Sequence, residues 1–385
     1  MPDPSKLAAA LLLALSSTAS GAQTADTAPA KTGARSFSVF PTAIFKSPWA
    51  MTFLTAAKGE VSNMALVTER EGRLWLVDVA KGATQQVAGA PEVKVFEQGG
   101  LGDVVAHPNY ASNQRIYLSY AEPGPNGTAG AAVGYGRLVL NEAAPRLEQF
   151  KVIWRQQPKV DGGAHFSHRI AFSPDGHLFV SSGDRFKFDP AQTLDTNLGK
   201  IVRLTAEGAP APGNPYAKQG GVAAQIWTRG HRSVLGLAFA PDGRLWEHEM
   251  GPRGGDEVNL IEKGRNYGWP AVSYGSQYDG REIPRDHRAR GHEEPKVWWN
   301  PSISPAGMMI YKGNLFPQWK GDMLLGGLSG QLLVRVDLDG ANAREAERWE
   351  MGARIRDVDE GPGGDIYLLE DGPSGGRMLR LRPAR

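Results

Sequence analysis

Six times along this chain a tight polar turn feeds a short strand of aliphatic and aromatic residues, a pattern that no helical fold accommodates. The copies are Glu71-Gly72-Arg73-Leu74-Trp75-Leu76-Val77, Asn113-Gln114-Arg115-Ile116-Tyr117-Leu118, Asp175-Gly176-His177-Leu178-Phe179-Val180, Asp242-Gly243-Arg244-Leu245-Trp246, Lys320-Gly321-Asp322-Met323-Leu324-Leu325 and Gly363-Gly364-Asp365-Ile366-Tyr367-Leu368. Strands ending in proline precede three of them: Val104 to Pro108, Ile170 to Pro174 and Leu237 to Pro241. A third kind of strand alternates basic and aliphatic residues, in Lys200 to Leu204, Leu333 to Asp337 and Met378 to Leu381, and alternation predicts a half-exposed outer strand. The 48 glycines and 27 prolines among 385 residues are the turn chemistry such a repeat needs. Six units of about 60 residues are longer than compact propeller repeats of roughly 40 to 50. The expected fold is therefore all-β, a six-bladed β-propeller with long loops on one face, the loop candidates being 120–136, 186–197, 209–224 and 273–296. Radial repetition hides sheet edges and leaves the mouth of a central channel for a ligand.

The formal charge is +2, with basic residues scattered among acids, so no nucleic-acid partner is expected. There is no cysteine, which excludes thiolate metal sites and cysteine nucleophiles; any metal must be held by oxygen or imidazole. Lys6, the apolar run Leu7 to Leu15, and the small residues Ser20, Gly21 and Ala22 have the layout of an export signal. Residues 1–22 are read as removed, 23–36 as a flexible lead-in, and 37–385 as one propeller, placed in the periplasm or secreted. The apolar run is too short for a membrane anchor.

Three segments carry candidate chemistry. In Asp161-Gly162-Gly163-Ala164-His165-Phe166-Ser167-His168-Arg169, a loop enters a strand, and a histidine there can accept a proton from a hydroxyl at neutral pH. Two surface histidines are the plain alternative. Asp184, in the same hairpin, can fix a histidine tautomer or merely cap a turn. The second segment runs from Trp227-Thr228-Arg229-Gly230-His231-Arg232-Ser233 to His248-Glu249-Met250-Gly251-Pro252-Arg253-Gly254-Gly255-Asp256-Glu257-Val258-Asn259. Its carbonyls and carboxylates suit a hard cation such as calcium, the alternative being a tight turn with its acids facing water. Arg232 suits an anionic ligand or a surface salt bridge. In the third, Arg354 and Arg356 are spaced by two, on one face of a strand, where they can clamp carboxylates if that strand is innermost. Phosphate-loop, dinucleotide, HExxH and GxSxG patterns are absent from the sequence.

These segments, with Gly264-Arg265-Asn266-Tyr267-Gly268-Trp269-Pro270, together resemble the soluble pyrroloquinoline-quinone (PQQ)-dependent glucose and aldose sugar dehydrogenases over residues 40–382. The resemblance implies that PQQ and Ca²⁺ sit on the top face and that aldoses are oxidised at C1 to the lactone. It makes His165 the general base, with hydride passing to the quinone C5, and Arg232 the group that stabilises charge on the cofactor oxygen. Gly251 and Pro252 match carbonyl ligands of the active-site calcium, Arg354 and Arg356 the pair at the quinone carboxylates, and Glu257 and Tyr267 positions at a second, structural calcium. Gln98 and Asp184 match residues lining the sugar pocket, and Asp256 one supporting the site. Ser233, Ser329 and Ser302 stand at cofactor positions where asparagine, lysine and threonine are usual. Losing the lysine implies weaker retention of the quinone, by about ten- to a hundred-fold, and the altered loops imply a broad aldose preference. The electron acceptor is not identified by the sequence. Two other readings are a calcium-dependent propeller lactonase, which needs a ring of carboxylate and asparagine ligands, and a non-catalytic propeller that binds a glycan or protein.

Overall fold

The computed structural model describes residues 33–56, 62–140, 144–372 and 375–384. The expected export segment and most of the lead-in lie outside the described residues. Six four-stranded antiparallel sheets form a ring, each an up-and-down blade. Blade 1 comprises Pro48–Phe53, Met64–Glu69, Arg73–Asp78 and Ala83–Val87; blade 2, Leu101–Ala106, Arg115–Pro123, Ala129–Val139 and Arg146–Arg155; blade 3, Ser167–Phe172, Leu178–Ser182, Lys200–Leu204 and Ile226–Arg229. Blade 4 comprises Val234–Phe239, Leu245–Glu249, Asp256–Ile261 and Val297–Trp299; blade 5, Pro305–Ile310, Met323–Gly327, Leu332–Asp339 and Asn342–Glu350. Blade 6 takes Arg354–Glu360, Ile366–Asp371 and Gly376–Pro383 from one end of the chain and its outer strand, Phe37–Phe45, from the other. This closes the ring by joining the two ends of the described chain in one sheet, so that every blade has a neighbour on both sides.

Five of the six turn–strand copies feed the second strand of a blade, and the one at Glu71 feeds a third strand. Between each pair of neighbouring blades lies an apolar cluster, such as Trp49, Leu66, Ile116 and Leu118 between blades 1 and 2. The only α-helix among the described residues is Tyr110–Asn113, and no helix there is long and apolar enough to cross a membrane. Two expectations need correction. Residues 120–136 are mostly a long hairpin, Arg115–Pro123 paired with Ala129–Val139, because glycine and alanine there let the outer strand pack close; a Cβ on Gly134 would strike the Phe150 ring at 2.6 Å. The three alternating strands, at Lys200, Leu333 and Met378, are third rather than outer strands of their blades, and Lys200 is buried, its Nζ donating to Pro190 O and Leu198 O at 2.7 and 2.6 Å. Burial brings its pKa down to about 7.

All six innermost pairings shift register through a bulge. Such bulges bend a strand and re-aim its side chains. Deeper in the channel, Arg169 joins several blades: it contacts Asp103 at 3.2 Å, Asp357 at 3.1 Å and Leu235 O at 2.9 Å, and its guanidinium lies 4.2 Å from the Trp49 ring centroid. Beside it His168 is a core residue. It stacks on Trp49, its Nδ1 is 2.8 Å from Ser119 Oγ, and burial takes its pKa down to about 3.

Candidate active site

His165 is positioned by its backbone. It has a φ of 48°, and its N–H donates to Gln98 Oε1 at 2.9 Å, which ties the loop before blade 3 to the loop before blade 2. Gly183 passes beneath it so closely that a Cβ there would lie 1.9 Å from His165 O, so no other residue fits. The imidazole Nδ1 is 2.7 Å from Asp184 Oδ1, and Asp184 Oδ2 accepts Trp269 Nε1–H, also at 2.7 Å. Asp184 Oδ1 further accepts the Phe186 N–H at 2.9 Å. Both partners are buried. Burial pushes the His165 pKa below its ordinary value; the bond to Asp184 opposes this and the nearby Arg232 charge reinforces it. Burial pushes Asp184 up, but the His165 hydrogen bond and charge, with Arg232, outweigh it and hold the carboxyl low. At neutral pH the pair is therefore a carboxylate and a neutral imidazole. The carboxylate selects the tautomer with hydrogen on Nδ1, which leaves Nε2 a proton acceptor.

Arg232 lies between blades 3 and 4. Its Nη1 donates to Met250 O at 3.0 Å and Gly251 O at 2.8 Å, its Nη2 to Tyr278 OH at 3.0 Å, and its Nε is buried without a hydrogen-bond partner. The guanidinium lies 5.3 Å from the Trp269 ring centroid and 5.9 Å from those of Phe186 and Tyr278. Carbonyls that attract a guanidinium face a place that favours positive charge. Asp256 accepts the N–H groups of Gly251, Ile303 and Ser304 and the Ser302 hydroxyl, at 2.6 to 3.0 Å. It thus holds the Gly251-Pro252 turn against the Ser302 loop, with every acceptor turned toward protein. Ser329 Oγ is 2.8 Å from Ser304 Oγ, and the Ser233 N–H donates to Glu249 Oε2 at 3.2 Å.

Glu257 and Tyr267 are both buried but their side chains serve different purposes. The Tyr267 hydroxyl donates to Leu260 O at 2.6 Å and accepts the Glu262 N–H at 2.9 Å, while its ring stacks on His231. Glu257 sits opposite Glu249 across the strand pair, and Asn259 Nδ2 donates to Glu247 Oε1 at 2.8 Å and Glu257 Oε2 at 3.4 Å. Burial, with the Glu249 charge, pushes Glu247 and Glu257 well above the carboxylate range. His231, Glu247 and Glu249 bring ligand atoms within 4.8 Å of one another. Sequence reasoning left Glu247 outside the segment it singled out and gave Glu249, inside that segment, no role of its own; their spacing of two, which sets both on one face of a strand, was the signal available.

Arg354 and Arg356 share Asp371 and line a cleft of about 580 Å³ with Trp49, Gln98, Met250 and Leu328. Gln98 touches His165 and Met250 touches Arg232, so both segments meet the arginine pair at one cleft. Lys46 and Arg70 add positive charge to its wall. The volume lies in the range of small-molecule and cofactor pockets. Glu71, Glu97 and Asp371 line the cleft as well, so it is the arginine pair rather than the whole wall that suits an anionic group, and the unpartnered Arg232 Nε is a buried donor awaiting an acceptor. Sequence reasoning also missed Trp269 as a site residue, although its motif was in view; the bond to Asp184 joins positions 85 apart. A separate apolar cluster of Ala191, Trp269 and Ile283, with Phe188 packed on it, anchors the loops 186–197 and 273–296 beneath it.

The family model for glucose/sorbosone dehydrogenase matches residues 45–380. The chain is similar to aldose sugar dehydrogenase YliI of Escherichia coli (strain K12), 40% identical over 341 residues that cover 87% of this chain and 90% of the relative. Two solved structures resemble it. The soluble aldose sugar dehydrogenase of Escherichia coli in its apo form has a TM-score of 0.84 at 38% identity, covering 90% of this chain and all of that one. The PQQ-bound aldose sugar dehydrogenase of Streptomyces coelicolor has a TM-score of 0.74 at 27% identity, covering 92% and 99%.

Proposed function

From the premise that this chain belongs to the glucose/sorbosone dehydrogenase family, we propose that it is a PQQ- and calcium-dependent dehydrogenase that oxidises aldose sugars at C1 to the lactone. The observation that carries the proposal is the Trp269–Asp184–His165 chain, which leaves Nε2 unprotonated on a residue whose backbone is tied to Gln98 in the wall of the arginine-lined cleft. When bound, the quinone accepts the hydride of the sugar's C1, and calcium raises its electrophilicity as a Lewis acid. His165 Nε2 takes the proton of the anomeric hydroxyl, and Asp184 stabilises the imidazolium that results. Gln98 orients the sugar, and its bond to the His165 backbone keeps base and substrate in register. Arg354 and Arg356 would hold the cofactor carboxylates, assisted by Ser302 and Ser329, and Arg232 its reacting edge. Gly251 and Pro252 carbonyls would bind the active-site calcium, which requires the Arg232 guanidinium to leave Gly251 O. Glu257, backed by Glu247 and Glu249, would hold the second calcium, Tyr267 serving through its backbone because its hydroxyl is engaged. The apolar run at Leu7 to Leu15 supports export to the periplasm or beyond.

Reconstitution tests the proposal. Metal-stripped protein is titrated with PQQ and calcium, and dye reduction is followed with glucose, other aldoses and disaccharides. Activity that requires both additions is the expected result; a folded protein that binds no quinone would refute it and favour the binding-propeller reading.

A further inference from the structure

Oxidation at an anomeric carbon imposes a direction on the substrate. The reacting carbon belongs to the reducing end, so every further unit of a saccharide extends away from His165 toward solvent. Seven large apolar side chains are exposed among the described residues, and four of them, Val95, Phe96, Phe186 and Tyr278, lie on the loops that carry the candidate site. Phe186 follows Asp184 by two positions, and its ring centroid is 4.8 Å from that of His165. Tyr278 is nearly parallel to Phe186, the planes 8° apart and the centroids separated by 6.1 Å, and its hydroxyl is tied to Arg232. Phe96 packs against Gly163, two residues from His165; a Cβ there would lie 2.6 Å from its ring. Exposed rings flanking one polar mouth are costly in water unless something covers them.

Resting on the aldose reading of His165, we propose that Phe186 and Tyr278, whose exposure rises with distance along the chain of rings from His165, form an outer stacking subsite for the second pyranose of a reducing disaccharide or longer saccharide. The C–H faces of a pyranose are apolar while its rim is hydroxylated. Here the rings are bordered by polar pairs, Lys187–Asp161 at 2.7 Å beside Phe186 and Arg281–Asp279 at 2.8 Å beside Tyr278, which supply donors and acceptors to that rim. An apolar dye would make no use of this alternation. Phe186 packs edge-on against Phe188, which in turn packs on Trp269, so the platform is held in place before the sugar arrives.

The test compares kcat/KM for cellobiose and maltose with that for glucose in the reconstituted wild type and in Tyr278→Ala, Phe186→Ala and Tyr278→Phe. The expected result is a disaccharide-to-glucose ratio lowered about three- to ten-fold in each alanine variant and kept in Tyr278→Phe, which retains the ring and loses only the bond to Arg232. An unchanged ratio, or equal losses for both sugars, would overturn the subsite. So would a raised KM for the electron acceptor with the sugar ratio intact, because the rings would then dock the acceptor. Saturation-transfer NMR with methyl β-cellobioside, which has no free anomeric hydroxyl, separates this inference from the catalytic reading. Contact of its non-reducing ring with wild-type protein, weakened in Tyr278→Ala, supports the subsite even if no aldose is oxidised; absence of contact refutes it.

Discussion

Asp184→Asn is the substitution that interrogates the proposed base most directly. Asp184 serves three donors: His165 Nδ1–H and the Phe186 N–H on one oxygen, at 2.7 and 2.9 Å, and Trp269 Nε1–H on the other, at 2.7 Å. An asparagine amide has a single acceptor oxygen and an NH2 that only donates. With the oxygen toward Trp269, the NH2 faces His165 and selects the tautomer that carries its hydrogen on Nε2, which cannot take another proton. With the oxygen toward His165, two N–H groups confront each other at Trp269, and the charge that stabilises the imidazolium is gone. Losing one charge-assisted hydrogen bond costs about 1.5–3 kcal/mol, roughly 10- to 150-fold in rate. The loss is bounded by the ~10²- to 10⁴-fold that a positioned base supplies. We expect kcat of the reconstituted enzyme to fall within that 10- to 150-fold window, while quinone affinity, read by fluorescence titration of the cofactor-free protein, stays close to wild type. Because Asp184 raises the His165 pKa, the acid limb of kcat/KM should also move to lower pH. A kcat equal to wild type, or an acid limb displaced upward, would refute the assignment.

In the unmutated enzyme, His165 is held below its ordinary pKa by burial, so the acid limb of kcat/KM should lie below pH 6.5 and activity should persist through neutrality; a limb above 6.5 contradicts the buried base. Arg356→Ala removes a charge-assisted contact from the cleft and should weaken quinone binding about ten- to a hundred-fold by the same titration, with an unchanged affinity counting against the clamp. Arg169→Met strips the partner from buried Asp103 and Asp357 and should destabilise the ring by about 3–5 kcal/mol in urea denaturation, whereas a loss under 1 kcal/mol would show that the channel ion cluster holds little together. Glu257→Gln replaces a carboxyl that burial and the Glu249 charge already drive toward its neutral form, so it should melt no lower than wild type without metal, yet gain less on addition of calcium; an equal gain would remove Glu257 from the second calcium site.

The ring was legible because a propeller writes its blade into the sequence six times, and each copy brings its own turn. Residues in register with that repeat, such as Asp184 at the end of a hairpin, could be placed in advance. Arg354 and Arg356 show where such reading stops. Their spacing of two predicts a shared face, but Arg356 falls where the pairing slips between Ile355 and Asp357, so strict alternation does not apply; the pair is united instead by Asp371 on the next strand. Trp269 was invisible as a partner of Asp184 because their meeting depends on how two loops fold over one end of the ring. Glu247 went unnoticed for a related reason: in a propeller both faces of a second strand are covered by neighbouring blades, so a polar stripe there is buried against polar partners.

The closure of blade 6 governs when a site of this kind comes into existence. The strand that carries Arg354 and Arg356 belongs to a sheet completed by Phe37–Phe45, and the inner ring is sealed where the Met51 N–H meets Asp357, 306 positions away. Contacts of such separation form late, because the intervening chain must be gathered first. The arginine clamp is thus expected among the last features to assemble, and a partly built ring would offer the proposed quinone no complete cleft. If the chain is exported as proposed, and unfolded, it would lose nothing by that order, since the proposed cofactor would have only to be met on the far side.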